Sequence, residues 1–350
     1  MGDNDRNESA IAPQGIPRRR RGRLLLLAGV SLTALALLLG FLFRDRLLSR
    51  WRGEDDLGNR FPPGALADYL PEDSEAVLTV NVRQLRESRV GRQHLAPILQ
   101  HLIRQAGGRL RWMDLLGIKP LEDLDSLQIS FAPNAGGQPL WLVRARLDRS
   151  RIQIGPDKLQ ETKLNHFRIW ECTDRETRRT TLLAPVGDIL VVSEARGRVL
   201  SALKQASDPR PIAVRDATLR EMLAKVDRRQ SLWLAASIKS LGSLAGIEDY
   251  FLKMVLRPRL AHADSVHGGI TCAEDVQVEL HFRSATEERA ARLETDLQAM
   301  REAAPGFELL LGRKKELLPL LRLLSSASIN REGNKVLLRS RLLERMKDEG

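Results

Sequence analysis

The stretch DSVHGGITCAEDVQVELHFR, residues 264–283, predicts a β-hairpin and thereby indicates the class of fold. Its second arm alternates apolar and polar residues, so one set of side chains faces a core and the other faces outward. We therefore expect an antiparallel sheet with one polar face in this region. The inward set is Val276, Val278, Leu280 and Phe282, and the outward set is Gln277, Glu279, His281 and Arg283.

An earlier segment predicts a second hairpin of the same kind. The strand SLQISF (126–131) and the strand PLWLVRARL (139–147) are joined by APNAGGQ, whose Asn and Gly residues suit a hairpin connection. This segment begins Asp-Ser-Leu at residue 125, and the later hairpin begins Asp-Ser-Val at residue 264. The order strand, helix, hairpin, helix also occurs twice. The sequence therefore predicts two repeats, 66–210 and 211–350.

Helix signals separate the predicted strands. Apolar residues recur at steps of three and four over residues 95–106, which is typical of an amphipathic helix. Asp216 is a candidate N-cap, and Ser284-x-x-Glu287 marks the start of a helix that we expect to end at Pro305-Gly306. Together the pattern predicts an α+β fold, in which antiparallel sheets are covered by helices on one face.

An uncharged apolar run precedes these repeats. Residues 24–43 contain no charged side chain, and a helix of that length crosses the roughly 30 Å hydrocarbon core of a bilayer. Cleavable signal peptides have shorter apolar regions, of about 7 to 15 residues. The run therefore favours an uncleaved transmembrane anchor, with signal-peptide cleavage as the alternative.

The flanking arginines predict the orientation of the anchor. Arginines are denser in residues 18–23 than after the run, and acidic residues follow at 54–56. Because Lys and Arg beside a span prefer the cytoplasmic side, residues 1–23 are expected to form a basic cytoplasmic tail. Residues 44–65, rich in charges, glycine and proline, then form a linker to a C-terminal domain outside the cell or in the periplasm.

Composition narrows the range of partners. The formal net charge is +11, but aromatic residues make up only 4% of the chain. No helix-turn-helix, zinc-finger or RNA-recognition signature is present, so we expect no nucleic acid as a partner. The two cysteines, Cys172 and Cys272, lack Cys-x-x-Cys spacing, and they are either two buried thiols or one disulfide.

Catalytic and cofactor signatures are missing from the sequence. It contains no Gly-x-Ser-x-Gly elbow, no phosphate-binding Gly-x-x-x-x-Gly-Lys loop and no His-Glu-x-x-His. The segment HADSVH (262–267), with Cys272 after it, admits a zinc site, although its spacing favours ordinary loop and strand residues. We therefore predict no catalytic residue, no metal ligand and no cofactor.

Outward arginines form the one candidate binding feature. The alternation that exposes Arg283 also exposes arginines on the first hairpin and on the last predicted strand. If these strands share a face, they form an arginine-rich surface for an anionic surface or polymer. The alternative is a solvated face that prevents aggregation. The candidate residues are Arg144, Arg146, Arg283, Arg339 and Arg341.

The chain resembles a family of uncharacterised exported or membrane-anchored proteins that is abundant in planctomycete bacteria. The resemblance rests on LADYLPEDSEAVLTVNVRQLRES, LLGIKPLEDLDSLQIS, VDRRQSLWLAAS, GGITCAEDVQVEL and KELLPLLRLLSS. It implies an envelope location and a soluble external domain of unknown role, and it brings no catalytic residues. Such relatives often carry a cleavable signal, so the long span of this chain is a departure from them.

The sequence thus predicts a single-pass membrane protein with a non-enzymatic binding or scaffolding domain. The expected partners are the lipid bilayer, through residues 24–43, and envelope proteins or anionic polymers. One alternative is a carrier or chaperone for an apolar ligand such as a lipid, with the leucine-rich segment 316–326 closing over a sheet. Another is a hydrolase whose site is assembled in space without a sequence motif.

Overall fold

The computed structural model describes residues 66, 69–92, 110–132, 138–174, 178–207, 214–240, 260–310 and 318–342. This part of the chain is α+β, with one antiparallel sheet of 12 strands and several helices, which confirms the predicted class. The predicted tail (1–23), anchor (24–43) and linker (44–65) lie outside the described residues, as does the helix expected at 95–106. None of the described helices is long and apolar enough to cross a membrane.

The strands form where apolar and β-branched residues concentrate. The sequence ILVVS, for example, forms a strand whose residues are all buried. In chain order the strands are β1 (Ala76–Val80), β2 (Leu124–Phe131), β3 (Leu140–Ala145), β4 (Leu159–Leu164), β5 (Phe167–Thr173), β6 (Thr180–Val186), β7 (Ile189–Ser193), β8 (Leu232–Ser237), β9 (Ser265–Cys272), β10 (Val276–Arg283), β11 (Ser328–Glu332) and β12 (Lys335–Leu342).

Side-chain caps fix the starts of two helices. The Asp216 carboxylate accepts a hydrogen bond from the Leu219 backbone N–H at 2.9 Å, which confirms the predicted N-cap. At the later helix the cap is Thr286, whose hydroxyl accepts from Arg289 N–H at 3.3 Å. The described α-helices are α1 (Val82–Glu87), α2 (Arg111–Leu115), α3 (Pro120–Asp123), α4 (Arg196–Ser207), α5 (Ala217–Lys225), α6 (Glu287–Leu310) and α7 (Leu318–Ser325).

Two expectations for α6 are wrong. The expected cap Ser284 lies outside the helix, which begins at Glu287, and its buried hydroxyl has no hydrogen-bond partner. The helix also continues through Pro305 to Leu310. It packs along α7, β11 and β12, and these tertiary contacts stabilise it beyond a residue that weakens helices locally.

The strand order is β11-β12-β10-β9-β8-β1-β2-β3-β7-β6-β5-β4. Strands β1 and β8 lie side by side and antiparallel inside the sheet, with Leu78 opposite Leu234. From this junction β1 leads outward to β2 and β3, and β8 leads outward to β9 and β10. The two hairpins therefore hold corresponding positions on either side of the β1–β8 junction.

The two hairpins also share their register. Leu127 pairs with Val143 in the first hairpin, and Val266 pairs with Phe282 in the second. The same number of residues separates Leu127 from Val266 as separates Val143 from Phe282. Residues of β2 and β3 can therefore be matched one by one with residues of β9 and β10. In this correspondence Arg144 matches Arg283.

Helices cover both faces of the sheet, so the expectation of helices on one face only is wrong. Neighbouring residues of β1 belong to separate hydrophobic clusters, because successive side chains of a strand point to opposite faces. Ala76 and Val80 lie in the first core, which α1, α2, α6 and α7 complete. Val77 lies in the second core, which α4 and α5 complete. The periodicity of a strand shows which side chains lie on each of its two faces. It does not show which face a helix covers.

The two cysteines are free and buried, so the disulfide alternative is wrong. Cys172 lies on β5 and Cys272 lies on β9, with six strands between them in the sheet. Neighbouring strands are about 4.8 Å apart, which puts the two thiols roughly 30 Å or more apart. Burial raises the pKa of both thiols, and that of Cys272 to about 12, so both remain protonated.

Candidate anion-binding face

The polar side of β10 follows the predicted alternation. Val276, Val278, Leu280 and Phe282 are buried in the first core. Gln277, Glu279, His281 and Arg283 point to the opposite side of the sheet, as predicted, where they are half-buried or exposed. On the neighbouring strand β12, Val336 and Leu338 enter the same core, so Arg339 and Arg341 point to the same side as Arg283.

We call this side of β9, β10 and β12 the open face. Helix α5 packs on β8 and β9 at its border, whereas α6 and α7 pack on β11 and β12 from the opposite side. Among the described residues, no helix packs on its centre. The residues that define the open face are His267, Glu279, His281, Arg283, Arg339 and Arg341.

Each arginine of the open face contacts a carboxylate. Arg339 lies opposite Glu279 and donates to it from Nε at 3.0 Å and from Nη2 at 3.3 Å. The hydrogen bond with Arg339 is the largest of the effects that lower the pKa of Glu279. Arg341 donates to Asp275 in the β9–β10 turn. These contacts hold extended side chains flat against the strands.

Helix α5 supplies the carboxylate for the third arginine. Arg283 donates from Nη1 to Glu221 Oε2 at 2.9 Å. Lys225, one helical turn after Glu221, donates to the other carboxylate oxygen. The hydrogen bond with Lys225 is the largest of the effects that lower the pKa of Glu221. One carboxylate thus contacts two cations at the border between α5 and the open face.

Two histidines occupy the centre of the open face. His267 on β9 lies directly opposite His281 on β10, and their rings stack with centroids 4.9 Å apart and planes within 12°. His281 Nε2 lies 2.7 Å from Glu279 Oε1. Burial and, next, the neighbouring His281 lower the pKa of His267 from its usual 6.5 to about 4. At neutral pH His267 is therefore an uncharged ring.

This arrangement does not form a metal site. The lone pair of an imidazole nitrogen lies in the plane of its ring, so two stacked rings do not direct their lone pairs at one point. Within the described ranges, no group of three or more potential ligands could hold a metal ion. The zinc alternative fails for the same part of the chain, because Asp264 pairs with Arg289 of α6 and His262 lies near Asp296 of α6, while His267 faces the opposite side.

Arg144 and Arg146 lie apart from the other three predicted arginines. They point to the same side of the sheet, but β3 is five strand spacings from β10, which is about 24 Å. The Arg144 guanidinium pairs with Asp188 at 2.7 Å, and Arg146 is exposed beyond the end of β3. The five candidates therefore form two groups on one side of the sheet.

Three further residues contribute to this region without having been predicted. Glu221 and Lys225 on α5 come next to the open face through contacts between distant parts of the chain, and His267 joins it by pairing with His281 within the hairpin. The leucine-rich segment considered as a ligand cover contributes Leu323 to the first core, beside the buried strand residues of β11 and β12. Comparisons with family models, curated proteins and solved structures found no match to this chain.

Proposed function

We propose that this chain is a single-pass protein of the cell envelope whose external domain binds an acidic polysaccharide. In this arrangement residues 24–43 span the membrane, residues 1–23 form a cytoplasmic tail and residues 44–65 link the span to the domain. The uncharged length of the span and the dense arginines before it support the orientation. The resemblance to exported planctomycete proteins supports the same location.

The external domain is built from two repeats, 66–210 and 211–350, that arose by duplication. The shared register of the hairpins and the antiparallel pairing of β1 with β8 support this origin. Each repeat contributes one hairpin of the same geometry. Only the second hairpin leaves a polar side accessible, so the proposed binding surface belongs to the second repeat.

The observation that carries the proposal is the charge of the open face and its margin. Basic side chains outnumber carboxylates there, and the arginines and lysine are exposed. An extended polyanion that lies across the strands contacts several guanidinium groups. Guanidinium groups bind carboxylates and sulfates through planar, bidentate hydrogen bonds. On the open face and its margin the basic residues are Lys225, Arg283, Lys335, Arg339 and Arg341, and the acidic residues are Glu221, Asp275, Glu279 and Glu332.

The chemistry of the open face favours a polysaccharide over a membrane or a nucleic acid. Lipid surfaces are bound by faces that also insert apolar or aromatic side chains. Single-stranded nucleic acids are bound by stacking on aromatic rings beside basic groups. The outward side chains of β10 are all polar, and β9, β10 and β12 have no outward Trp, Tyr or Phe.

Retention of the full chain on dextran sulfate tests the proposal. The protein, purified in a neutral detergent, is compared with a variant carrying Arg283→Gln, Arg339→Gln and Arg341→Gln. We expect the variant to elute at clearly lower salt because it has lost the cations that contact the polymer. The basic tail is present in both proteins and contributes equally.

Equal loss of charge elsewhere provides the control. Arg83, Arg168 and Arg215 are exposed side chains away from the open face, and their triple change to Gln removes the same charge. Equal elution of the two triple variants would contradict the proposal, because retention would then depend on net charge alone. Binding of anionic vesicles in preference to dextran sulfate would assign the surface to lipid instead.

A separate experiment tests the anchor. Membranes carrying the full chain are extracted with alkaline carbonate, and the N-terminal mass of the mature protein is determined. We expect the protein to remain in the membrane with residues 24–43 intact, and a Leu35→Lys, Leu38→Lys variant to be released, because central lysines disfavour insertion. An N-terminus after residue 43 would establish the cleaved-signal alternative.

A further inference from the structure

The centre of the open face combines a titratable pair with more cations than carboxylates. His267 and His281 stack across β9 and β10. Arg283 and Arg339 flank them on the strands, and Lys225 approaches from α5. The two nearby carboxylates, Glu221 and Glu279, are the only acidic groups among the charges that act on His267.

We infer that the open face binds its polyanion together with a proton, which His267, stacked on His281, takes up as the polymer binds. This inference rests on the proposed function and adds the regulation of the same surface. The proton converts the neutral His267 ring into a cation at the point where the polymer lies. Binding is therefore tighter in an acidified envelope than at neutral pH.

The surroundings of His267 explain why the proton needs the ligand. Burial leaves a charged His267 ring poorly solvated, and the neighbouring His281 ring on β10 and Lys225 on α5 further disfavour its positive charge. On β8 the residue opposite is Ala235, which contributes no charge. An anion above the stacked rings supplies negative charge and favours the protonated form of His267.

The protein's own carboxylates, Glu221 and Glu279, supply only part of that charge, because the pKa of His267 stays lowered in their presence. Glu221 already contacts both Lys225 and Arg283. Glu279 already contacts both Arg339 and His281. Their cationic neighbours lower the pKa of both carboxylates, so they stay ionised and paired in mild acid. A further positive charge on the histidine pair is therefore not balanced within the open face, and an external anion is required to balance it.

The test compares binding of dextran sulfate at pH 7.5 and pH 5.0 with the full chain in neutral detergent. The variant is His267→Gln with His281→Gln. The matched control is His166→Gln with His262→Gln, which removes the same number of histidines. His166 lies in an exposed turn, and His262 lies beside Asp296 of α6. On going from pH 7.5 to pH 5.0, we expect the affinity of wild type and control to rise about fivefold to tenfold more than that of the variant. This is the effect of one added positive charge near an anion in water.

Proton uptake provides an independent readout. Calorimetric titrations in two buffers of different ionisation enthalpy measure the protons bound per binding event, and this number should fall in the His267→Gln, His281→Gln variant and stay unchanged in the control. Equal acid gain and equal proton uptake in all three proteins would overturn the inference while leaving the proposed function intact. If dextran sulfate bound at neither pH 7.5 nor pH 5.0, the proposed function itself would be overturned.

Discussion

The two hairpins have the same geometry and opposite surroundings. In the first, β2 and β3 bury side chains on both faces, and Leu140 and Leu142 are fully buried in the second core. In the second, the matching positions are Glu279 and His281, which are partly exposed. The same backbone geometry therefore serves as an inner layer in one hairpin and as a surface in the other.

Helix α4 packs on β6 and β7 and also contacts the first hairpin through Arg198. Arg198, which is 3% exposed, donates to the carbonyls of Ser130 and Gln138 at 2.9 Å each and to the Ser130 hydroxyl at 2.8 Å. It therefore ties α4 to the ends of β2 and β3. In the second hairpin Gly269 matches Ser130, so no hydroxyl is available there. The contact between Arg198 and the Ser130 hydroxyl therefore has no counterpart at Gly269 of the second hairpin.

The largest effect is expected when the two surroundings are exchanged. Leu142→His places the residue of the open hairpin into the second core, where an imidazole leaves a polar group buried and packs poorly. We expect a loss of about 3–5 kcal/mol in the free energy of unfolding. The reciprocal change, His281→Leu, should alter it by less than about 0.5 kcal/mol, because the side chain is partly exposed.

Urea unfolding of the full chain, followed by far-UV circular dichroism, measures both variants. Equal losses for Leu142→His and His281→Leu would contradict the assignment of one covered and one open hairpin. The two substitutions are matched because they fall at corresponding positions of β3 and β10. Their difference therefore reports the surroundings and not the strand geometry.

A glycine distinguishes the open hairpin from the covered one in backbone conformation. Gly268 has φ 138°, and a Cβ there would lie 2.0 Å from the Glu279 carbonyl oxygen, whereas the matching residue of the first hairpin is Ile129. We expect Gly268→Ala to cost about 2–3 kcal/mol of unfolding free energy. The control is Gly187→Ala, which has a positive φ but open space around it, and should cost about 1 kcal/mol.

Thermal unfolding of both glycine variants provides the measurement. If Gly268→Ala is no more destabilising than Gly187→Ala, the close approach of β9 to β10 does not constrain this position. A larger cost confirms that the open hairpin depends on a backbone that the covered hairpin does not need.

Acid sensitivity should also differ between the hairpins. His267 matches Gln128 of the first hairpin, which does not titrate. Because the pKa of His267 falls from 6.5 to about 4 on folding, the unfolded chain binds a proton first as the pH falls. The stabilising effect of the neutral ring is complete above about pH 6.5 and is lost as the pH falls towards 4.

His267→Gln gives the open hairpin the residue of the covered one and removes this titration. Between pH 7 and pH 4 we expect wild type to lose roughly 1–2 kcal/mol more unfolding free energy than the variant, after allowance for solvent screening at a half-buried side chain. Urea unfolding at a series of pH values measures the difference. Parallel pH profiles for the two proteins would show that His267 has the same proton affinity in both states.

Sequence patterns predicted what depends on neighbouring residues. The alternation of β10 correctly assigned Val278 and Leu280 to the core and Arg283 to the outside, and Asp216 was correctly identified as a cap. The paired motifs at Asp125 and Asp264 gave the correspondence that the strand register later reproduced. These features follow from the period of a strand and from local hydrogen bonding.

Strand order and helix placement could not be predicted in the same way. Arg144 and Arg283 point to one side of the sheet, but β9, β8, β1 and β2 separate their strands, and Arg144, expected to be exposed, is mostly buried beside Asp188. The joining of both hairpins into one sheet depends on the β1–β8 contact, which has no local signal. The stack of His267 on His281 could have been predicted from the sequence, because folding the hairpin about its turn places the two residues opposite each other.

The smallest effect on stability is expected for an arginine of the open face. Arg339 pairs with Glu279, but its side chain is 57% exposed, and exposed ion pairs contribute little to stability. Arg339→Gln should therefore change the unfolding free energy by less than about 0.5 kcal/mol. The same change at Arg198, which reaches from α4 to the covered hairpin, should cost about 2–4 kcal/mol because it breaks several buried hydrogen bonds.

The proton affinity of Glu279 separates loss of the ion pair from loss of structure. The hydrogen bond from Arg339 is the main cause of the low pKa of Glu279, so Arg339→Gln should raise that pKa towards its usual value while the fold stays intact. Carboxyl carbon NMR shifts measured across acid pH follow this titration. A large loss of stability with an unchanged pKa would mean that Arg339 supports the sheet through contacts other than its ion pair with Glu279, and the open face would then be a structural surface rather than one left free for a partner.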